Sequence, residues 1–111
     1  MYNLIGIEKV KATVLVNDLN DLLANYQVFY QNLRGFHWNI KGKEFFELHL
    51  KFEELYNDAV IKVDEIAERI LTLDGIPLHT FIDYLERSKI ESVKGLFDGK
   101  SSVDIILSNF S

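Results

Sequence analysis

Three histidines and several acidic residues are the side chains here that could bind a metal ion, because the sequence contains no cysteine. His37 and His49 are separated by eleven residues, and Glu53 follows His49 by one helical turn. Asp64 and Glu68 repeat the same four-residue spacing further along. Imidazole nitrogen together with carboxylate oxygen suits iron, manganese or zinc. Spacing alone does not choose among these metals.

Each of these signals also has an ordinary structural explanation. A single histidine beside an apolar stripe is more often a hydrogen-bonded core residue than a ligand. An acidic pair such as Asp64 and Glu68 is more often a solvated helix face, with Lys62 and Arg69 as neutralising neighbours. The combination is more informative, because both acids stay within roughly 100° of His49 around a helix of about 3.6 residues per turn.

Long helices must carry these residues. Apolar side chains recur at steps of three and four over two long stretches, which predicts two amphipathic helices. Gly75 is the predicted left-handed cap that ends the second helix, and Pro77, two residues later, cannot continue it. Two pairs of residues resemble capping boxes. Thr80 with Asp83 would begin a short connecting helix, and Ser101 with Asp104 would begin a third long helix. The predicted helices span 8–38, 43–74, 80–88 and 102–111.

Composition limits the class of protein. Twelve basic and seventeen acidic side chains give a net charge of −5, which argues against a general phosphate-backbone binder. A hydrophobic content of 48% excludes a disordered chain. Neither a basic leader nor an apolar run of about 18 residues is present, so we expect one cytoplasmic domain over 1–111 that does not contact a membrane.

Two helices cannot cover each other's apolar surfaces, and aromatic residues such as Phe46 and Phe52 are expected to lack a partner. Ser111 falls within a predicted apolar helix. We therefore expect a truncated all-α four-helix bundle that also associates with copies of itself.

Distance predicts where a metal site can form. His49 and Asp64 lie about 22 Å apart along a helix that rises 1.5 Å per residue, whereas the ligands of one metal lie about 2 Å from it. Two antiparallel copies of the second helix, related by a twofold axis near Ala59, bring His49 and Glu53 of one copy beside the distal acids of the other. Each of the two sites would then hold two imidazoles and three carboxylates.

The residues also resemble the Dps family of mini-ferritins over most of the chain up to about residue 87. The resemblance implies a ferritin-like four-helix bundle, of which the chain supplies the first two long helices, the short connecting helix and the start of a third. It further implies a twelve-subunit shell that oxidises iron(II), with hydrogen peroxide preferred over oxygen, stores ferric mineral and protects against oxidative stress. The matching segments are 36–42, 45–49, 52–56 and 64–69, followed by Gly75, Pro77 and Leu78.

The same resemblance implies roles for individual residues. Glu53 stands where many relatives have aspartate, and Trp38 is the aromatic neighbour that accepts a stray electron, with core packing as an equal alternative. Zinc or manganese could substitute for iron. The first three of the implied iron ligands come from one subunit and the last two from its neighbour: His37, His49, Glu53, Asp64 and Glu68.

Two other functions remain open. A nucleoid protein that protects DNA is one. Its N-terminal segment has only two basic residues, Lys9 and Lys11, beside the acidic Glu8, and is too weakly basic to bind DNA as a tail. A helical association module without metal is the other, and it applies if the truncation is real.

Overall fold

The computed structural model describes residues 2–42, 45–95 and 98–109, with the backbone alone at 2–5 and 7. Its helices are α1 (Tyr2–Asn39), α2 (Phe45–Thr72), α3 (Phe81–Arg87) and α4 (Gly99–Asn109). Helix α1 thus begins six residues before the predicted position 8, and α4 begins three residues before 102. The predicted helical positions 43, 44, 110 and 111 lie outside the described residues. None of the helices described is both long and apolar enough to cross a membrane.

Helices α1 and α2 form an antiparallel hairpin. Near its closed end, Phe36 and Phe52 pack with ring centroids 5.9 Å apart. Near its open end, Leu23 packs with Val63 and Ile70. This order, late residues of α1 with early residues of α2, places His37 and His49 on facing turns.

The expectation that Phe52 lacks a partner is wrong. Its side chain is 1% exposed, because it lies in a core formed by α1, α2 and Ile106 of α4. Phe46 lies about 120° from Phe52 around α2 and is 77% exposed in this chain. The short α4 therefore covers part of the hairpin that two helices alone would leave open.

The segment between α2 and α4 crosses along α1 and is held there by asparagine side chains. Asn20 donates to the carbonyl of Ile76 and accepts from the N–H of Leu78. An ion pair of 2.6 Å joins Arg87 to Asp21. Backbone groups of an irregular segment thus find hydrogen-bond partners on a helix side chain, which accounts for asparagine in the middle of α1.

The helix ends confirm one predicted cap and correct two others. Thr80 accepts from the N–H of Asp83 at the start of α3. At the end of α2 it is Asp74, with φ 62°, and not Gly75 that takes the left-handed conformation, which aspartate tolerates. Helix α4 is capped by Asp98, whose carboxylate accepts from the N–H of Ser101. This cap lies three residues before the predicted cap at Ser101.

Candidate metal centre

The two histidines of the hairpin lie directly against each other. Their imidazole rings stack with centroids 3.6 Å apart and an interplanar angle of 20°. His37 Nδ1 lies 2.6 Å from the carbonyl oxygen of His49, and His49 Nδ1 lies 2.7 Å from the carbonyl oxygen of His37. Each side chain is thus hydrogen-bonded to the backbone of the residue that carries the other ring.

This reciprocal arrangement decides which ring nitrogens carry protons. A carbonyl oxygen can only accept a hydrogen bond, so each Nδ1 must be the protonated nitrogen. In the neutral imidazole the proton on Nδ1 leaves a lone pair on Nε2, the form in which histidine binds a metal. The carbonyl of His37 is available because α1 ends two residues later and its last carbonyls have no helical partner.

Aromatic residues surround the histidine pair. Phe45 stacks on His49 with centroids 4.9 Å apart, and the edge of Tyr56 meets His37 at 5.3 Å. His37 itself is only 7% exposed. Such packing restricts ring rotation and so fixes the direction of the two Nε2 lone pairs.

Glu53 lies one helical turn beyond His49 on α2. Among the described residues, no three His, Asp or Glu side chains are close enough together to hold a metal ion. Both Nδ1 protons are donated across the hairpin to backbone carbonyls. The Glu53 side chain is half-buried.

Asp64 and Glu68 lie on an exposed strip of α2, together with Val60 and Ile61. Neither acid is near the histidines of its own chain. Ala59, which was expected to face a second copy, is 1% exposed and belongs to the core between α1 and α2. The face of α2 left free at that level is instead the one formed by Val60 and Ile61.

Trp38 is 56% exposed and does not pack in the core of this chain. The guanidinium of Arg34 lies 4.6 Å above its ring and 5.2 Å from the ring centroid of Tyr30. Tyr30 in turn meets Tyr56 at 6.0 Å. Sequence reasoning missed Tyr30 and Arg34, although Tyr30 precedes His37 by seven residues, two helical turns, and so shares its face.

The model of the ferritin-like domain family matches residues 16–108. The chain is also 54% identical, with a TM-score of 0.90, to the crystal structure of the DPS protein from Vibrio cholerae O1, which is described as a member of a broad superfamily of ferritin-like diiron-carboxylate proteins. That match covers 92% of this chain and 64% of the Vibrio chain.

The chain belongs to the Dps family of ferritin-like proteins. Among its relatives are an uncharacterised protein of Haemophilus influenzae, 56% identical over 87 residues, and the DNA protection during starvation protein of Porphyromonas gingivalis, 48% identical over 86 residues. Each alignment covers 78% of this Dps-family chain. The chain spans 54% of the length of each of these two relatives.

Proposed function

We propose that this protein is a ferroxidase that binds iron(II) at the histidine pair, oxidises it with hydrogen peroxide in preference to oxygen, and stores the ferric product. The observation that carries the proposal is the reciprocal hydrogen bonding of His37 and His49, which leaves a lone pair on each Nε2. Iron is the substrate, and zinc or manganese would compete for the same nitrogen and oxygen ligands. Such an activity removes both reactants of oxidative damage, which suits a protective protein of the cytoplasm.

Glu53 is proposed as a third ligand from the same chain, and the last two ligands, Asp64 and Glu68, are proposed to come from a second copy. Two imidazoles alone bind iron(II) weakly, and carboxylates are needed to balance the charge of iron(III) as it forms. Glu53 lies one turn beyond His49, whereas Asp64 and Glu68 lie about 22 and about 28 Å from His49 along the same helix. An antiparallel pair of α2 helices brings the distal acids of each chain to the histidines of the other.

The exposed strip of α2 supports this pairing. Val60 and Ile61 lie near the midpoint between the histidine end and the distal acids, where a twofold axis would cross. Apolar residues there can be buried against their own copies, while the acids on either side are carried to the two sites. A twelve-subunit shell built from such pairs would enclose the stored mineral.

The proposed reaction consumes hydrogen peroxide without releasing hydroxyl radical. Two iron(II) ions each lose one electron, the O–O bond of one peroxide molecule breaks, and two protons complete two molecules of water. The protein contributes geometry rather than electrons to this reaction. His37 and His49 position the metal, and the carboxylates neutralise its growing charge.

A complementation experiment tests the shared site. A His37→Ala/His49→Ala variant and an Asp64→Asn/Glu68→Gln variant are each expected to oxidise iron(II) no faster than buffer. Refolded together, they form mixed pairs in which one of the two sites has every ligand intact. Activity should therefore return in the mixture, measured as the rise of ferric absorbance after addition of peroxide.

The outcomes separate the alternatives. An unchanged rate in the double histidine variant would leave a helical association module as the better explanation. Two inactive variants that do not recover on mixing would show that the sites are not shared between chains. Glu65→Gln, which removes an exposed acid beside the proposed ligands, is the matched control and should retain full activity.

Protection of DNA is the second candidate, because relatives carry that name. The net charge of −5 opposes it, since affinity for the phosphate backbone depends on a basic surface. A gel-retardation assay at low ionic strength distinguishes the two. Retarded DNA that is released as salt rises would support a nucleoid role, whereas no retardation would exclude one.

A further inference from the structure

The imidazole of His49 is stacked against two other rings. Its centroid lies 3.6 Å from that of His37 and 4.9 Å from that of Phe45, whose plane is inclined to it by 25°. Phe45 precedes His49 by one helical turn on α2, so these two side chains share a face of the helix. Within the described residues no ring contact joins Phe45 directly to His37, as expected when the ring of His49 separates them.

The two histidines are held in place by different means. His37 is 7% exposed and follows the buried core residue Phe36, so the protein interior restricts its ring on its own. His49 is half-buried and lies one turn from Phe45, the residue at which α2 begins. The backbone of a helix is fixed least firmly near its ends. The orientation of the His49 ring therefore depends on the side chains that cover it.

A single hydrogen bond decides which ring nitrogen of His49 carries the proton. Neutral histidine in water holds its proton mainly on Nε2, whereas the 2.7 Å contact of His49 Nδ1 with the carbonyl oxygen of His37 requires the proton on Nδ1. The bond exists only while the ring keeps its present plane. Rotation out of that plane would lift the ring from both of its stacking partners, so Phe45 opposes the motion that breaks the bond.

We propose that Phe45 is a positioning residue, which keeps His49 in the plane and the tautomer that leave its Nε2 free to bind a metal ion. The inference rests on the proposed function, because His49 is a ligand only if the histidine pair binds iron(II). Phe45 contributes no ligand atom and acts through the ring that it covers, in the way that groups behind a metal ligand orient it. Its loss should change His49 and leave His37 unchanged.

NMR spectroscopy of the metal-free protein tests the positioning directly. Correlations between the carbon-bound ring protons and the ring nitrogens distinguish a protonated nitrogen from an unprotonated one, and mildly alkaline buffer keeps the rings neutral. In the wild type, both histidines should carry the proton on Nδ1. In Phe45→Ala, His49 should become a mixture of the two tautomers. His37 should not change, because its own bond is to the backbone of His49.

Zinc binding measures the consequence for the metal ligand. Zinc(II) has no redox chemistry here, so calorimetric titration reports affinity alone. Phe45→Ala should weaken zinc binding by about tenfold or more, which is the usual effect of losing a group that orients a ligand. Phe45→Leu keeps the apolar bulk without a flat ring and should weaken binding several-fold. Phe45→Tyr keeps the flat ring and should match the wild type in both tautomer and affinity.

Leu23→Ala is the control for general loosening of the fold. Leu23 belongs to the core near the open end of the hairpin, about 21 Å along α1 from His37, so its truncation destabilises the protein away from the histidine pair. This variant should keep the wild-type tautomers and zinc affinity. An effect equal to that of Phe45→Ala would overturn the proposal, as would a His49 tautomer that stays unchanged in both Phe45→Ala and Phe45→Leu.

The same measurements separate this inference from the proposed function. If the tautomer of His49 depends on Phe45 but the wild type neither binds zinc nor oxidises iron(II), Phe45 still positions the ring and the proposed function fails. If the wild type oxidises iron(II) and the tautomer does not respond to Phe45, the proposed function stands and this inference is wrong.

Discussion

The side chain of Asn32 holds the backbone of Val93: its Oδ1 accepts the Val93 N–H at 2.9 Å. At the same time its Nδ2 donates to the carbonyl of Glu91 at 2.9 Å. Asn32 is buried, so both backbone groups depend on it. The segment before α4 is irregular, so these two backbone groups have no partner in a helix or sheet. The side-chain amide of Asn32 supplies both hydrogen bonds instead.

Replacement of this amide should destabilise the fold. Asn32→Ala removes the partner of the Val93 N–H and of the Glu91 carbonyl, two part-buried hydrogen bonds, and we expect a loss of about 1–3 kcal/mol in the free energy of unfolding. Urea denaturation followed by circular dichroism measures it. Asn39→Ala is the matched control, because that amide is exposed and donates only to Gly35 of its own helix. Equal effects from the two substitutions would contradict the account.

The distal acids should matter for iron oxidation but not for stability. Asp64→Asn and Glu68→Gln change exposed side chains, so each should alter the free energy of unfolding by less than about 0.5 kcal/mol. Both should lower the initial rate of iron(II) oxidation by more than about tenfold, because each removes a proposed ligand of the metal. A variant that loses activity in parallel with its stability would argue for a structural role instead.

Phe52 and Phe46, both in the first turns of α2, should respond differently to truncation. Phe52 is buried against Phe36, and Phe52→Ala should cost about 3–5 kcal/mol of unfolding free energy through lost burial and the resulting cavity. Phe46→Ala, at an exposed position, should change the stability of the isolated chain by less than about 0.5 kcal/mol. Chemical denaturation of both variants makes the comparison, and equal losses from the two substitutions would contradict this prediction.

The start of α4 should be sensitive to acid. The backbone N–H of Ser101 donates to the carboxylate of Asp98 and holds the pKa of that carboxyl below its ordinary value. A lowered pKa means that the cap is fully formed above the ordinary value of an aspartate and is lost as pH falls through the folded-state pKa. The amide resonance of Ser101 in NMR spectra should report this transition, and Asp98→Asn should abolish it. A midpoint of this pH transition at or above the ordinary pKa of an aspartate would contradict the prediction.

Much of the fold was predictable because helical periodicity is a local property. The spacing of apolar residues indicated both long helices, and Thr80 with Asp83 indicated where α3 begins. The start of α4 was not predictable in the same way. Asp98 and Ser101 are each followed three residues later by a residue suited to a helix cap, and the choice between them depends on packing. Burial of Phe52 was also missed, since it depends on Ile106, more than fifty residues later in the sequence.

The sequence by itself placed His37 and His49 opposite one another, because two helices joined by a short turn bring together residues at equal distance from that turn. It also determined that Asp64 and Glu68 cannot reach them within one chain. Only the tertiary structure decided the tautomer of each ring and which face of α2 stays free. Both depend on atoms from distant parts of the chain: a carbonyl across the hairpin selects the protonated nitrogen, and packing against α1 turns Ala59 inward and Ile61 outward.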